Sequence, residues 1–424
     1  MVKSYNHLFE KVISDYNLSL AIDNATAEKD EKSGAKDRAE HIQKNKVQYI
    51  KKIKQMLLNQ EFKAKKHRAD IFYDHTSHKY RLILKPDLED EQIIHWAVIQ
   101  VLQPIFMRGM YEYSCGSIPG RGPHYGKKAI EKFIHRHPAD CKYVLEFDIK
   151  KFYPSIDTDI LKQKLRRIIH DEKMMFLLEQ IIDSNIAVFE DGHEERVGVP
   201  IGYYTSQWFG NFYLQDLDHY IKQDLKAAGL FRYVDNVEIF GRNKKELHKS
   251  FNLIKFELSK LKLKVKENYQ LYRFDYIDKK DGKRKGRFVD FMGFRFYRDK
   301  TTIRRATMLK ATRKARKMSK KPKITAFDSC QLMSRLGVFK HTNTRGVFEK
   351  YIKPYVNIKN CRQAIRTRQL KINKNKEKKQ CSTSENQKVL KNPSNSTKQV
   401  PKTEFISEST CQLTLFPIMT ETKK

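Results

Sequence analysis

Two segments of the chain carry carboxylates, one where a strand is expected to end and one where a hairpin is expected to turn. Asp148 follows the apolar run 143–147, and Asp235 and Asn236 interrupt the β-branched and aromatic stretch 231–240. Asp and Asn are common at turns, so each segment alone also fits an ordinary surface turn. Two strands can nevertheless bring such carboxylates together, and bridging carboxylates hold pairs of divalent ions about 4 Å apart. The spacing therefore predicts a two-metal site that transfers phosphoryl groups.

The order of the neighbouring motifs favours the catalytic interpretation. Residues 147–157 and 232–236 resemble motifs A and C of the reverse transcriptase palm, and residues 199–214 between them resemble motif B of bacterial reverse transcriptases. Residues 288–294 match the primer-grip hairpin, where a Gly between aromatic residues permits close approach of the backbone to the primer end. The resemblance extends over residues 5–355.

The resemblance implies an α+β fold with the right-hand polymerase architecture of fingers, a palm with an antiparallel sheet, and a helical thumb. Its expected parts are an N-terminal helical extension (1–75), fingers (76–141), a palm with part of the fingers inserted (142–300), a thumb (301–368) and a disordered basic tail (369–424).

Hydrophobic periodicity predicts finer elements within these parts. Apolar residues recur every three to four positions over 5–20 and 41–58, which indicates amphipathic helices. Residues 277–287 are expected to form a basic hairpin. Dense Lys and Arg over 310–323, followed by a helical pattern over 330–355, predict a thumb that grips the duplex backbone.

The resemblance assigns Asp148 and Asp235 as the metal-bridging carboxylates. The backbone carbonyl of Ile149 would complete the shell of one Mg²⁺, a hard ion that prefers oxygen ligands. Of two such ions (Mg²⁺ or Mn²⁺), one would activate the primer 3′-hydroxyl and the other would neutralise the leaving pyrophosphate. Asn236 replaces the usual second Asp of motif C, which removes one negative charge and keeps an oxygen ligand.

The resemblance also assigns residues that contact the nucleotide. Tyr153 stands at the steric-gate position, where an aromatic ring excludes a ribose 2′-hydroxyl; the alternative is a core aromatic of the palm. Lys85 and Arg121 correspond by position to triphosphate contacts, and the alternative is that both are solvated surface charges. Ile201 and Gly202 open motif B, and Ile201 stands where many retroviral and intron enzymes have Gln. The loss of that amide suggests low fidelity.

Details of the motifs point to a subgroup and leave one role open. Residues 95–98 and 200–207 favour diversity-generating retroelements and neighbouring defence-associated types over group II intron proteins, which are expected to carry Pro-Gln-Gly in motif B. The motif D lysine, a general acid toward pyrophosphate in the family, has no clean equivalent. Lys264 and Lys266 lie nearby, but strict register places Tyr269 there.

Composition agrees with a nucleic-acid enzyme. A formal charge of +35, spread along 424 residues, implies a polyanionic partner, here an RNA template and a DNA primer or product together with dNTPs. The six cysteines show no pairing typical of zinc or disulfide frameworks. The absence of an apolar signal core or membrane-length apolar stretch predicts a cytoplasmic protein with no membrane partner.

The predicted tail contains one apolar pentapeptide in a polar surrounding. Its Gln412, Leu413, Leu415 and Phe416 resemble the short motif by which bacterial polymerases and repair proteins dock into the sliding clamp. The alternative is a chance apolar patch. An accessory protein is a further candidate partner.

These observations lead to one leading hypothesis and two alternatives. The leading hypothesis is an RNA-directed DNA polymerase of a bacterial or phage retroelement or antiphage defence system. A polymerase of the same fold could instead extend a protein primer or add nucleotides without a template. A catalytically silent RNA-binding scaffold is the third hypothesis, and the substitution at Asn236 favours it.

Overall fold

The computed structural model describes residues 4–27, 35–74 and 79–388, which form a mixture of helices and sheets. The chain divides into two units between Met292 and Gly293. The predicted extension, fingers and most of the palm lie in the first unit, and the predicted thumb lies in the second. The α+β class expected from the sequence is confirmed.

The secondary-structure elements are numbered in chain order. The helices of the first unit are α1 (Phe9–Val12), α2 (Asp15–Thr26), α3 (Ala35–Lys44), α4 (Lys46–Leu58), α5 (Ile93–Gly109), α6 (Pro123–Arg136), α7 (Phe152–Ser155), α8 (Thr158–Arg166), α9 (Glu172–Asp183), α10 (Tyr204–Tyr213), α11 (Gln215–His219) and α12 (Lys244–Lys260), with π-helical turns at Leu88–Gln92 and Tyr220–Asp224. Its strands are β1 (His67–Arg68), β2 (Asp70–Asp74), β3 (Lys79–Ile83), β4 (Ser114–Cys115), β5 (Tyr143–Asp148), β6 (Ile186–Val188), β7 (Glu194–Arg196), β8 (Gly229–Tyr233), β9 (Asn236–Gly241), β10 (Gln270–Arg273), β11 (Tyr276–Ile277), β12 (Arg284–Lys285) and β13 (Val289–Phe291).

The predicted palm is built on a five-stranded sheet in the order β10-β5-β9-β8-β4. Strands β10, β5, β9 and β8 pair antiparallel, and β4 pairs parallel with β8. Asp148, the last residue of β5, pairs with Asn236, the first residue of β9. Two residues further along the same ladder, Glu146 pairs with Glu238. The register therefore brings the end of β5 beside the β8–β9 turn.

Alternation along the strands separates two faces of the sheet, and the face opposite the large core also buries Val144 and Phe240. Leu145 and Phe147 of β5 and Val237 and Ile239 of β9 belong to the large core of the first unit. Phe147 also contacts Phe251 of α12, with ring centroids 5.6 Å apart. Because successive side chains of a strand point to opposite faces, the carboxylates of β5 lie on the other face of the sheet.

The N-terminal helices form where periodicity predicts them, but each predicted helix is divided. Within 5–20, the chain breaks between α1 and α2, because the hydroxyl of Ser14 caps α2 by accepting a bond from Asn17 N (3.3 Å). The Asn17 side chain then donates to Ala97 O of α5 (3.0 Å), which fixes α2 on that helix. Region 41–58 is likewise shared between α3 and α4.

The basic hairpin expected within 277–287 is formed by β11 and β12. Ile277 pairs with Arg284, and Gly282 supplies a positive φ of 64° in the connecting turn. Lys285 bonds both Asp278 (2.6 Å) and Asp281 (3.0 Å). These ion pairs hold the hairpin together within its own sequence.

The second unit contains β14 (Phe294–Phe296) and β15 (Thr301–Ile303), which pair antiparallel, and the helices α13 (Arg305–Ser319), α14 (Ala326–Leu336), α15 (Arg345–Tyr351) and α16 (Ile358–Lys388). Asp328 of α14 is 4% exposed and bonds two ammonium groups, Lys314 of α13 and Lys321, each at 2.7 Å. Its backbone N–H also donates to the N-cap Thr325 (3.1 Å). These bonds lower the pKa of the Asp328 carboxyl. One carboxylate therefore joins α13 to the start of α14.

Helix α16 begins at Ile358 and continues past residue 369, where the sequence predicts that the tail begins. The helix continues to Lys388, because residues 369–388 include many Lys and Gln residues, which are good helix formers despite their polarity. The predicted clamp-docking motif at 412–416 lies outside the described residues. Across the described ranges, no helix combines the length and apolarity needed to cross a membrane.

We predict that Asp328→Asn destabilises the second unit by about 2 kcal/mol, because two ammonium groups lose their shared counter-charge. Pairing lowers the folded-state pKa, so this stabilisation is present above about pH 4 and is lost as the pH falls further. Differential scanning calorimetry at pH 7 and at decreasing pH would measure it.

The control is Glu349→Gln, which removes an exposed carboxylate paired with Lys353 and is expected to leave stability nearly unchanged. Equal small effects of the two substitutions would contradict the role of Asp328.

Candidate active site

The end of β5 and the β8–β9 turn bring Asp148 and Asp235 together. Ile149 N donates to Asp235 O (3.1 Å), which fastens the turn to the residue after β5. Val234 in the turn adopts a φ of 58°, a left-handed conformation that costs a residue with a Cβ about 1–2 kcal/mol. Such strain persists where surrounding contacts enforce it.

A buried ion pair supplies those contacts. Arg232 of β8 and Asp218 of α11 are each 1% exposed, and Arg232 Nη2 lies 2.6 Å from Asp218 Oδ2. The same guanidinium donates through Nη1 to Val234 O (2.9 Å) and to the Asn211 side chain (3.1 Å). Val234 N in turn donates to Cys115 O of β4 (3.2 Å). The strained residue is thus held on both its N–H and its carbonyl.

The neighbouring carboxylate of Asp148 affects the protonation of Asp235. Burial, together with the neighbouring Asp148 carboxylate, raises the pKa of Asp235 to about 6. Asp148 Oδ1 is buried and has no hydrogen-bond partner. Its other oxygen, Oδ2, accepts a bond from Lys266 Nζ at 2.5 Å. Lys266 therefore contacts the carboxylate that the sequence predicts as a metal ligand.

The donor set at this edge fits a divalent ion only in part. Across the described ranges, no group of three or more His, Cys, Asp and Glu side chains could hold a metal. Two carboxyl groups and the exposed Asn236 amide do meet here, and one buried carboxylate oxygen lacks a partner. Mg²⁺ in nucleotide-handling sites is commonly bound by one or two carboxylates plus substrate phosphates. The residues present fit that second type of site.

Tyr153 lies beside this carboxyl pair on α7. Burial, with the nearby Asp235 charge, raises the pKa of its hydroxyl to about 12. Gly210 of α10 makes room for the ring, because a Cβ there would lie 2.9 Å from Tyr153 Cε1. Val199 N donates to Tyr153 O (2.9 Å), which ties α7 to the start of motif B.

Ile201 and Gly202 join motif B to the predicted fingers. Leu84 N donates to Ile201 O (3.0 Å). Gly202 has a φ of 122°, and a Cβ there would lie 2.1 Å from Leu84 O, so only Gly fits. This close approach places Gly202 beside Lys85 on the wall of one pocket, whose other lining residues are Pro86, Gln92, His95, Trp96 and Tyr204.

The two predicted triphosphate contacts occupy different settings. The Lys85 side chain is 72% exposed and pairs with Asp70 (2.5 Å). Arg121 instead donates through Nη1 to Tyr111 O (3.0 Å), and its backbone closes the Gly-rich turn by accepting from Gly116 N (3.0 Å). Lys85 therefore lies at the pocket with Gly202, whereas Arg121 is bonded to the main chain near β4.

A second polar layer lies behind the carboxyl pair. Glu238 is 1% exposed, and its Oε2 lacks a hydrogen-bond partner. Burial, with Glu146 and Asp290 nearby, raises the pKa of Glu238 well above its ordinary value. A protonated Glu238 avoids placing a second full charge next to Glu146 in the sheet.

The sequence did not reveal the contacts of three residues at this site. Asp218 and Arg232 are charged residues inside apolar stretches, a signal of burial with a partner, but their pairing across the fold is not visible in the chain. Lys266 was noted near motif D, and its contact with Asp148 could not be read from spacing.

Comparison with known proteins covers this whole region. Residues 64–295, more than half of the chain, match the family described as "Reverse transcriptase (RNA-dependent DNA polymerase)". Every predicted site residue from Lys85 to Asn236 falls inside that range.

Individual relatives are distant, and each match covers only part of both proteins. The chain is 24% identical over 161 residues to Protein YkfC of Escherichia coli (strain K12), which covers 36% of this chain and 40% of that protein. It is 28% identical over 225 residues to Group II intron-encoded protein LtrA of Lactococcus lactis subsp. cremoris, which covers 52% of this chain and 36% of LtrA. The chain thus spans less than half the length of either relative. Apo telomerase from Candida Tropicalis, truncated from its C-terminal domain, superposes with a TM-score of 0.42 at 16% identity, over 56% of this chain and 55% of that one.

We predict that Asp218→Asn destabilises the first unit by about 3–5 kcal/mol, because the buried Arg232 guanidinium loses its counter-charge. Chemical denaturation followed by circular dichroism would measure the change. Asp224→Asn, which alters an exposed acid six residues along the same helical stretch, is the control and is expected to be near neutral. If the two variants unfold alike, the ion pair does not support the turn.

Proposed function

The chain belongs to the reverse transcriptase family, and from that premise we propose that it is an active RNA-directed DNA polymerase that copies an RNA template into cDNA from dNTPs. The observation that carries the proposal is the meeting of the Asp148 and Asp235 carboxyl groups at the end of β5. Close carboxyl pairs of this kind are frequent at functional sites.

Asp148 and Asp235 are proposed to hold two Mg²⁺ ions, or Mn²⁺ in their place, together with the Ile149 carbonyl, the Asn236 amide oxygen and substrate phosphates. When bound, the ions would activate the primer 3′-hydroxyl and neutralise the leaving pyrophosphate. The strained turn at Val234 fixes the position of Asp235 before substrate arrives. A preorganised carboxyl pair lowers the cost of assembling the site for each nucleotide.

The pocket beside motif B is proposed to receive the incoming nucleotide. Lys85 offers an exposed ammonium at its wall, which suits a triphosphate as a point charge. Its ion pair with Asp70 is exposed and hence weak, so phosphate can displace the carboxylate. Arg121 is proposed to add positive charge from the Gly-rich turn, where its bond to Tyr111 O fixes the guanidinium. Gly202 permits the close backbone approach.

Tyr153 is proposed as the gate against ribonucleotides. Its ring lies against the ring of Phe152, with the two ring centroids 5.2 Å apart, and close to the backbone of α10 at Gly210. A ring held on two sides cannot swing away from a 2′-hydroxyl, so deoxynucleotides are selected. Ile201 carries no amide to support the nucleotide, and we propose low fidelity as the consequence.

The biological setting is proposed to be a bacterial or phage retroelement or an antiphage defence system. Pro200, Ile201 and Gly202 support that setting over an intron, since intron proteins are expected to carry Pro-Gln-Gly here. LtrA is by its name an intron-encoded protein, so a group II intron origin is the competing setting. A template repeat beside the gene would favour a diversity-generating retroelement.

A catalytically silent RNA-binding scaffold is a second candidate function. Two observations favour it: Asn236 lacks the usual charge, and Lys266 contacts Asp148. Primer extension by the native protein on primed RNA separates the two candidate functions.

We predict that native protein extends a primer on RNA with Mg²⁺, and that Asp148→Asn or Asp235→Asn reduces extension by at least about a thousandfold while RNA affinity stays within about twofold. The carboxylates bind metal, whereas lysines and arginines bind phosphate. Primer extension and filter binding would measure both. Asn236→Asp restores the common charge and should retain or raise activity. No extension by native protein on primed RNA would favour the scaffold.

We predict that Tyr153→Val increases ribonucleotide incorporation by at least about tenfold, because the ring that collides with a 2′-hydroxyl is removed. Tyr153→Phe keeps the ring and serves as the control, with native discrimination expected. Single-nucleotide extension with matched dNTP and NTP would give the ratio. Equal ratios in native protein and Tyr153→Val would show that the ring is not the gate.

A further inference from the structure

Lys266 contacts Asp148 of the predicted metal site through both its side chain and its backbone. Its ammonium Nζ lies 2.5 Å from Asp148 Oδ2, and its backbone N–H donates to Asp148 O (2.8 Å). An antiparallel bridge between Ile149 and Val265 places it there. The position of this side chain is therefore set by the backbone of the sheet edge.

The contact is selective among three lysines spaced at intervals of two. Lys262 pairs with Asp157 at 2.6 Å, and Lys264 is exposed. Lys264 O accepts a bond from Lys150 N (2.7 Å), so both sides of the bridge are anchored. Lys264 and Lys266 share a face of the extended segment, and the register of the bridge distinguishes them: Lys266 lies opposite Asp148, whereas Lys264 lies opposite Lys150.

We infer that Lys266 is the internal counter-ion of the metal site: its ammonium neutralises Asp148 until a divalent cation displaces it, and it thereby sets the affinity of the site for metal. The inference rests on the proposed function, since it takes Asp148 as a metal ligand. Lys266 acts here as a positioning residue that competes with the ion.

Repulsion between the two carboxyl groups explains why the site needs a counter-ion such as the Lys266 ammonium. Asp148 and Asp235 repel each other at short range, and Asn236 contributes an amide in place of a third carboxylate. An ammonium on Oδ2 offsets that repulsion. It also opposes a second cation, because like charges at short range repel each other.

Geometry allows the ammonium to leave. The Lys266 and Asp148 side chains are each 28% exposed, so Nζ has a path to water along its flexible four-carbon chain. The buried Asp148 Oδ1 has no partner that must be broken. Metal binding therefore requires one ion pair to open and leaves the strands in place.

The test is Mn²⁺ binding to the full chain without nucleotide or nucleic acid, measured by electron paramagnetic resonance of free Mn²⁺. We expect Lys266→Met to bind Mn²⁺ at least about fivefold more tightly than native protein, since the competing cation is gone. Lys266→Arg keeps the charge and should stay near native affinity. Lys264→Met, the same substitution two residues away, is the matched control and should change affinity by less than about twofold.

Mn²⁺-induced thermal stabilisation gives a second readout, and it should be larger in Lys266→Met than in native protein. Lys266→Gln replaces Lys266→Met if the latter does not fold by circular dichroism. Unchanged or weaker Mn²⁺ binding in the folded neutral variant, with binding still dependent on Asp148, would overturn the inference alone. Binding that is unaffected by Asp148→Asn would instead overturn the proposed metal site.

Discussion

The fully buried pair of Arg232 and Asp218 is the interaction on which the candidate site depends. A two-residue turn must present Asp235 to the end of β5, and its first residue, Val234, adopts a backbone conformation that is unfavourable for a β-branched side chain. The guanidinium compensates by holding the Val234 carbonyl while it is itself neutralised by Asp218. Because Asn211 lies on α10 and Asp218 on α11, the turn is tied directly to the helix of motif B and to the helix that follows it.

This arrangement links the two halves of the proposed chemistry. Helix α10 provides Gly210, which leaves space for Tyr153, and its preceding loop provides Gly202, which meets Leu84. A single helix therefore connects the carboxyl pair, the proposed sugar gate and the pocket beside Lys85. Displacement of α10 would disturb all three together. The need to fix this helix is a reason to retain a buried ion pair, although apolar residues of similar volume are often at least as stabilising.

Protonation and a counter-ion reduce the negative charge on the face of the sheet that carries the carboxyl groups. The pKa values of Asp235 and Glu238 are both raised, and Lys266 contacts Asp148. Each device reduces negative charge on a face that must also attract cations. The resting site is consequently less acidic than its count of carboxyl groups indicates.

The local features of this site could be predicted from the sequence, and the long-range ones could not. The end of β5 at Asp148 and the hairpin follow from apolar runs and turn residues, and the helix of motif B follows from the family resemblance. The contact of Lys266 with Asp148 and the pairing of Arg232 with Asp218 depend on which strands and helices become neighbours, and residue types do not specify that. Ser14 divides a predicted helix because a hydroxyl cap competes with continued periodicity. Helix α16 extends beyond residue 369 because helix propensity does not require apolar residues.

The most direct test of the account is a crystal structure of the protein with primed RNA template, a non-reactive deoxynucleotide analogue and Mn²⁺, with anomalous scattering used to locate the metal. The account predicts anomalous peaks bridged by the carboxylates of Asp148 and Asp235, within about 2.5 Å of their oxygens, with the Lys266 ammonium moved off Asp148. Mn²⁺ located elsewhere, with the bond between Lys266 and Asp148 intact in the ternary complex, would contradict it.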